Sequence, residues 1–106
     1  MIKLLKKLLG FNTPKVDLHE VLEQSAVIID VRSKSEFSAG NCKGSINIPL
    51  EQVVASLQKI KAYNKPIVVC CRSGNRSGAA MRMLVSKGVQ NVINGGSWQN
   101  VNKNIK

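Results

Sequence analysis

The sequence has 106 residues, of which 43% are hydrophobic. This fits one domain whose apolar core needs neither disulfides nor a metal for stability. The formal net charge is +10, and all six acidic residues precede Gln52, so the second half of the chain is expected to attract anions. Aromatic residues make up 4% of the sequence and do not alternate with a basic stripe, so we expect no nucleic-acid partner.

The cysteines indicate the compartment and argue against a metal site. There are three, and Cys70 and Cys71 are adjacent in sequence. An odd number with this spacing is not a disulfide framework, so we expect free thiols in a reducing, cytoplasmic environment. With a single histidine, His19, and no Cys-x-x-Cys pair, the sequence predicts no zinc site and implies no cofactor.

Residues 1–13 are interpreted as a basic amphipathic segment and linker that precedes a domain spanning 14–106. The segment has no apolar run long enough for a signal peptide or a membrane span. An ordinary terminal helix or tail is favoured over contact with an anionic membrane surface. The apolar face of this helix would carry four residues: Ile2, Leu5, Leu8 and Leu9.

The rest of the chain alternates between strand and helix patterns. The strand candidates are short and rich in β-branched residues: Val16, 26–30, 45–48, 67–70 and 89–93. The helix candidates begin at Asp17 as an N-cap and continue with a brief turn at 35–37, an amphipathic run at 50–60, residues 77–87 and a terminal helix or tail at 98–106. Within the third of these helix candidates, Val54 is expected to face inward. Val85 is assigned the same orientation in the fourth, Gly88 is expected to stop that helix, and Gly95-Gly96 to form a turn.

This alternation predicts the fold class. It is typical of α/β proteins in which helices cover a parallel sheet. Unbroken apolar strands indicate burial on both faces. We therefore expect a three-layer α/β/α fold with a central, mostly parallel sheet of about five strands and helices on both faces.

Two polar clusters follow predicted strands, where open parallel sheets bind their ligands. One contains Asp30 and Arg32, and the other runs from Cys71 to Arg76. The second cluster lies between a strand and a helix and contains a glycine, an arrangement that points backbone N–H groups and a helix dipole at an anion.

Cys71 is the candidate nucleophile in this loop. Helix N-termini and neighbouring arginines lower a thiol pKa to about 3.5–7.5, so a histidine base is not needed. His19 is then interpreted as a surface or helix histidine. Cys70, which ends the apolar run, is interpreted as a small buried core residue, and Cys42 as a surface-exposed bystander.

These residues resemble the rhodanese-like sulfurtransferase family. The opening half matches in Asp30-Val31-Arg32-Ser33, Glu36-Phe37, Gly40 and the run from Gly44 to Leu50. The active-site loop matches in Cys71-Arg72-Ser73-Gly74-Asn75-Arg76-Ser77, and the closing segment in Gly88, Val92, Gly95-Gly96 and Trp98. The resemblance covers roughly residues 15–100.

The resemblance implies a thiosulfate or persulfide sulfurtransferase. Cys71 would accept sulfur from a small anionic donor, become a persulfide and pass the sulfur to a thiol or cyanide-like acceptor. Asp30 and Arg32 would support the loop. The residues that would bind the anionic sulfur group, mostly through backbone N–H groups, are Arg72, Ser73, Gly74, Asn75 and Arg76.

Three alternatives stay open. One is a sulfur-relay carrier that docks on an acidic protein partner, and another is a binding module without turnover. The third is a phosphatase, which the loop length disfavours: four residues separate Cys71 from Arg76, whereas five separate the corresponding residues in phosphatases of related fold.

Overall fold

The computed structural model describes residues 17–105 of the chain. The N-terminal segment at 1–13 and the strand candidate at Val16 lie outside the described residues. The helices are α1 (Leu18–Leu22), α2 (Lys34–Ala39), α3 (Leu57–Tyr63), α4 (Asn75–Ser86) and α5 (Trp98–Lys103). The strands are β1 (Val27–Asp30), β2 (Ile46–Asn47), β3 (Ile67–Cys71) and β4 (Val92–Ser97).

The strands form one parallel sheet in the order β2-β1-β3-β4. The predicted α/β class and parallel sheet are confirmed. The expected number of about five strands is wrong, because residues 17–105 contribute four. The fifth candidate, a single residue at Val16, lies outside this range.

Side chains alternate along β3 and build two cores, one on each face of the sheet. Ile67, Val69 and Cys71 face the core formed with α3 and α4, where Ile60 and Leu84 are buried. Val68 and Cys70 face the other core, against α1 and α5. Helices therefore cover both faces, as predicted, because each face of a buried parallel strand needs an apolar cover.

The helix candidate at 50–60 was wrong in its first half. Two 3₁₀ turns, at Leu50–Gln52 and Val54–Ser56, precede α3. A 3₁₀ turn places residues three apart on the same face, so Leu50 and Val53 point inward together. Val54 falls off this face and is 46% exposed.

Helix α4 begins two residues before the predicted start, and Gly88 follows its end with φ +92°, as a C-terminal stop requires. The predicted burial of Val85 is wrong, since this side chain is 56% exposed. It follows Leu84, which is buried, by one residue and therefore points about 100° away around the helix.

The last strand differs most from its prediction. It was expected at 89–93 with a turn at Gly95-Gly96, but β4 continues through both glycines to Ser97. The register with β3 shifts between Val69 and Cys70, so one residue of β4 bulges out. A Cβ at Gly95 would lie 2.6 Å from Val101 Cγ2, so this glycine permits α5 to pack closely on the strand.

Within residues 17–105, no helix combines the length and the apolar character that a bilayer crossing requires.

Candidate functional site

Cys71 is the last residue of β3, and the loop from Arg72 to Gly74 joins it to α4. Gly74 is the N-cap of this twelve-residue helix and has φ +104°, a conformation that L side chains rarely adopt. The chain therefore reverses tightly around Cys71, and the first turn of α4 faces the sulfur atom.

Hydrogen-bond donors surround Cys71 Sγ. The backbone N–H of Gly74 donates to it over 3.0 Å and that of Ser77 over 3.4 Å. The hydroxyl of Ser77 lies 3.4 Å from the same sulfur. Cys71 is only 1% exposed, so these contacts form in a site from which most water is excluded.

The pKa of Cys71 results from two opposing effects. Burial raises it. The hydrogen bonds from the Ser77 hydroxyl and from the backbone N–H groups of Ser77, Ser73 and Gly74 lower it by a larger amount, so that the resulting pKa is about 7. Roughly half of the molecules therefore carry a thiolate at neutral pH. A thiolate with a near-neutral pKa is the form of cysteine that attacks electrophilic sulfur.

Arg76 does not point its guanidinium into the loop. Its two terminal nitrogens donate to the two carboxylate oxygens of Glu36 in α2, over 2.7 and 3.0 Å. This pair lowers the pKa of Glu36 to about 2, with help from the backbone N–H of Ser33. Arg76 thus braces the start of α4 against α2, and only its backbone N–H remains for the site.

Asp30 and Arg32 form a buried pair beside the loop. The guanidinium donates to both carboxylate oxygens, over distances of 2.7 to 3.0 Å, and also to the carbonyl of Gly40. It lies 5.1 Å from the centre of the Trp98 ring. Since Asp30 is paired in register with Cys70, this network fixes the end of β1 next to the end of β3.

The structure therefore brings the two predicted clusters together at one edge of the sheet. Arg72, Ser73 and Asn75 are exposed, whereas Gly74 and Arg76 are half-buried. His19 lies on α1 instead, where its ring contacts the carbonyl of Asn104 and pairs with Glu23.

The two remaining cysteines belong to the opposite face. Cys70 is fully buried, as predicted, and its pKa is strongly raised, first of all by burial. The expectation that Cys42 is exposed is wrong, because it is 0% exposed and packs in the same core. Its segment folds back towards α5, where Lys43 N–H donates to the side chain of Asn102.

Three site residues were missed by the sequence analysis. Asn94 in β4 contacts both the loop and Ser77. Asn47 in β2 donates to the carbonyls of Asp30 and Arg32. Ser77 was quoted only as part of a motif. The available signal was an asparagine inside each of two apolar strands, where this residue is normally depleted.

Comparison with known proteins gives a family match. The family described as "Rhodanese-like domain" matches residues 15–104. The "Putative thiosulfate sulfurtransferase, mitochondrial" of Schizosaccharomyces pombe is 34% identical, over 79% of this chain and 68% of its own length.

A longer relative and a solved structure extend this match. The "Adenylyltransferase and sulfurtransferase UBA4" of Meyerozyma guilliermondii is 33% identical over 84% of this chain, which spans only 24% of that protein. A solved structure described as "rhodanese with anions from E. coli" is 30% identical, with a TM-score of 0.66, and the match covers 71% of this chain and 89% of the other.

Proposed function

Because the chain belongs to the rhodanese-like domain family, we propose that it is a sulfurtransferase that carries sulfane sulfur as a persulfide on Cys71. The observation that carries the proposal is the ring of donors around Cys71 Sγ, at the start of a twelve-residue helix. Relatives named as sulfurtransferases support the same chemistry.

The first step would load the enzyme. The Cys71 thiolate attacks the outer sulfur of thiosulfate, a new S–S bond forms on Sγ, and the S–S bond of thiosulfate breaks with its electron pair leaving on sulfite. Because Cys71 is 1% exposed, a donor has to present a slender sulfur tip. Thiosulfate and small persulfides both satisfy this requirement.

The second step would unload it. A thiol or cyanide acceptor attacks the outer sulfur of the persulfide, and the electron pair of the breaking S–S bond returns to Cys71 as a thiolate. A leaving thiolate with a pKa of about 7 departs readily at neutral pH. Atoms and electrons then balance over the cycle without a cofactor.

The loop would hold the anionic outer sulfur between these steps. The first N–H groups of a helix have no intrahelical partner and are free to bind an anion. At the start of α4 they belong to Asn75 and Arg76, and the loop adds those of Arg72 and Ser73. We assign Arg76 a backbone role only, because Glu36 holds its guanidinium.

An acidic protein is the partner class that fits the surroundings of this loop. No acidic residue follows Gln52 in the sequence. Among residues 17–105 the ion pairs use His19, Arg32 and Arg76, which leaves the exposed Arg72 unpaired there. If sulfur arrives from such a protein, loading should weaken with added salt, since exposed charges are screened over about 10 Å at 0.1 M.

The test is sulfur loading measured together with turnover. Reduced protein would be incubated with thiosulfate, and intact mass would report one added sulfur while thiocyanate release would report transfer to cyanide. We expect both signals in the wild type and neither in Cys71→Ser. Cys70→Ala and Cys42→Ala, each lacking one thiol from the opposite core, should retain both signals.

Loading that survives Cys71→Ser would contradict the assignment of the nucleophile. Loading without release to cyanide would favour a relay carrier over a free-standing transferase. If the wild type neither loads nor turns over, with small donors or with a protein persulfide, the domain is a binding module. Circular dichroism of each variant would exclude loss of folding as the cause.

A further inference from the structure

The side-chain amide of Asn94 has an unambiguous orientation. Its Oδ1 accepts from the backbone N–H of Gly96 over 3.0 Å, and its Nδ2 donates to the carbonyl of Gly74 over 3.1 Å. A backbone N–H is always a donor and a carbonyl is always an acceptor, so the two ends of the amide cannot be exchanged.

This orientation determines where the single hydroxyl proton of Ser77 lies. Ser77 Oγ is 2.7 Å from Asn94 Oδ1, and Oδ1 has no proton to give. The hydroxyl must therefore donate to Asn94, and it has no second proton for Cys71. In this arrangement the 3.4 Å contact between Oγ and Sγ is a hydrogen bond only if Cys71 is a thiol that donates.

A thiolate at Cys71 requires a different arrangement. The Ser77 hydroxyl can stabilise it only by turning its proton from Asn94 towards Sγ. Two acceptor oxygens, Oγ and Oδ1, would then face each other at 2.7 Å with no proton between them. The thiolate therefore gains one hydrogen bond at the cost of a shorter one.

We propose that Asn94 is a positioning residue that acts through the Ser77 hydroxyl to favour the uncharged states of Cys71 Sγ over the thiolate. These states are the free thiol and, on the basis of the proposed function, the inner sulfur of the persulfide. When the thiol ionises, its proton leaves to solvent while the Ser77 proton only rotates. Loading the persulfide returns the hydroxyl to Asn94.

This device would keep the thiol from becoming too acidic. The backbone N–H donors around Sγ lower the pKa of Cys71, and a Ser77 hydroxyl with no competing acceptor would lower it further. A thiol whose pKa is far below ambient pH is fully ionised but is a weaker nucleophile, so a pKa near the ambient pH attacks fastest. Asn94 thus opposes the pKa-lowering effect of the loop N–H groups and keeps the pKa of Cys71 close to neutral pH.

The charged groups near Cys71 do not supply this effect. The acidic groups on the elements packed around it are already paired, Asp30 of β1 with Arg32 and Glu36 of α2 with Arg76 of α4. Arg72, the next residue along the chain, is exposed to solvent and keeps its charge when the thiol ionises. Cys70 of β3 faces the opposite core with a strongly raised pKa, and β4 contributes no titratable side chain. The Ser77 hydroxyl is left as the group that responds to ionisation.

The experiment measures the pKa of Cys71 from the pH dependence of its alkylation rate, which needs no sulfur donor. In Asn94→Ala the Ser77 hydroxyl is free to donate to the thiolate, so we expect the pKa to fall by about one unit. Alkylation at pH 6 should then rise roughly fivefold. The Gly74 carbonyl keeps its bond from Gly78 N–H, so the loop retains a tether.

Two backgrounds separate this role from a structural one. In Ser77→Ala the same Asn94→Ala change should leave the pKa unmoved, because the hydroxyl through which it acts is absent. Asn102→Ala, which removes an exposed asparagine that holds the backbone N–H of Lys43, should not move it in either background. Asn94→Leu, close to asparagine in shape, should repeat the Asn94→Ala shift.

A pKa that rises or stays constant in Asn94→Ala overturns the proposal, and so does a downward shift that persists in Ser77→Ala. Because alkylation reports only the state of the thiol, these results are independent of sulfur transfer. Failure of the proposed function would appear instead as an alkylatable Cys71 that never loads sulfur.

Discussion

Cys70 and Cys71 are neighbours on one strand, and both are almost completely buried, yet their thiols have opposite properties. The pKa of Cys70 is strongly raised and that of Cys71 is lowered to about 7. Burial raises the pKa of both. The difference lies in what each sulfur contacts, since alternation along β3 sends Cys70 into an apolar core and Cys71 towards the donors of α4.

This pair teaches that burial alone does not make a cysteine inert. A buried sulfur without donors loses its hydration and keeps its proton, whereas one that faces several N–H groups exchanges water for fixed dipoles. The neighbouring Asp30–Arg32 pair does not make the Cys70 thiol more acidic. Asp30 raises the Cys70 pKa more than Arg32 lowers it.

The largest expected effect is the selectivity of alkylation in the folded protein. At pH 7, iodoacetamide should modify Cys71 at least about fiftyfold faster than Cys70 or Cys42, because about half of Cys71 is thiolate and a thiol with a pKa of 9.0 or more is at most about 1% ionised. Peptide mapping after a timed reaction measures the three rates. Equal labelling of Cys70 and Cys71 in a folded sample would contradict the proposed difference between the two thiols. Denatured protein, in which all three cysteines react, is the control.

A smaller effect is expected when one donor to Cys71 is disturbed. Gly74→Ala forces an alanine into φ +104° and should displace the N–H that donates to Sγ over 3.0 Å. Losing a hydrogen bond to a charged sulfur should raise the Cys71 pKa by about one unit, towards the behaviour of Cys70. The pH profile of alkylation measures the shift.

Gly44→Ala is the matched control for this variant. Gly44 also has a positive φ, +80°, and a Cβ there meets no atom within 4 Å. It should lower the free energy of unfolding by about 1–2 kcal/mol without changing the Cys71 pKa. A similar pKa rise in both variants would mean that general loosening, not the lost donor, controls the thiol.

The smallest effect concerns the ion pair that braces the loop on the Cys71 side. Glu36 has its pKa lowered to about 2 in the folded protein, so its carboxylate binds fewer protons folded than unfolded. Its contribution to stability is complete above the ordinary pKa of 4.5 and is lost as the pH falls towards 2. Melting temperatures of wild type and Glu36→Gln should therefore differ at pH 6 and converge near pH 2.

Equal melting temperatures at pH 6 would show that this half-exposed pair contributes nothing measurable, as many surface pairs do. Thiol alkylation in Glu36→Gln provides the complementary readout. We expect the Cys71 pKa to change by less than in Gly74→Ala, because the donors that touch Sγ belong to the loop and to Ser77 rather than to Arg76.

Much of the fold follows from local sequence patterns. Apolar runs identified β1 and β3, and the Asp17 and Gly88 signals placed two helix ends. The failures occurred where distant elements decide the outcome. Val54 and Val85 fit an apolar pattern but face solvent. Gly95-Gly96 has the sequence pattern of a turn. In the fold it lies in β4, because Val101 and Val68 pack so closely on Gly95 that a side chain there would not fit.

The site divides in the same way. The sequence by itself predicted Cys71 as the candidate nucleophile, because a cysteine between an apolar strand and a glycine-containing loop before a helix specifies an anion-binding turn locally. It also determined that Asp30 and Arg32 lie at the same edge of the sheet, through the shared direction of parallel strands.

Only the tertiary structure decided which groups surround that cysteine and the other two. Glu36 reaches Arg76 across 40 residues, Asn94 reaches Ser77 across 17, and Cys42 is buried by α5 rather than by its own neighbours. No local pattern encodes these contacts, because each depends on the packing of two elements that the chain brings together only on folding. The sequence points to the sulfur atom of Cys71, and the packing of α4 against β3 and β4 supplies the groups that surround it.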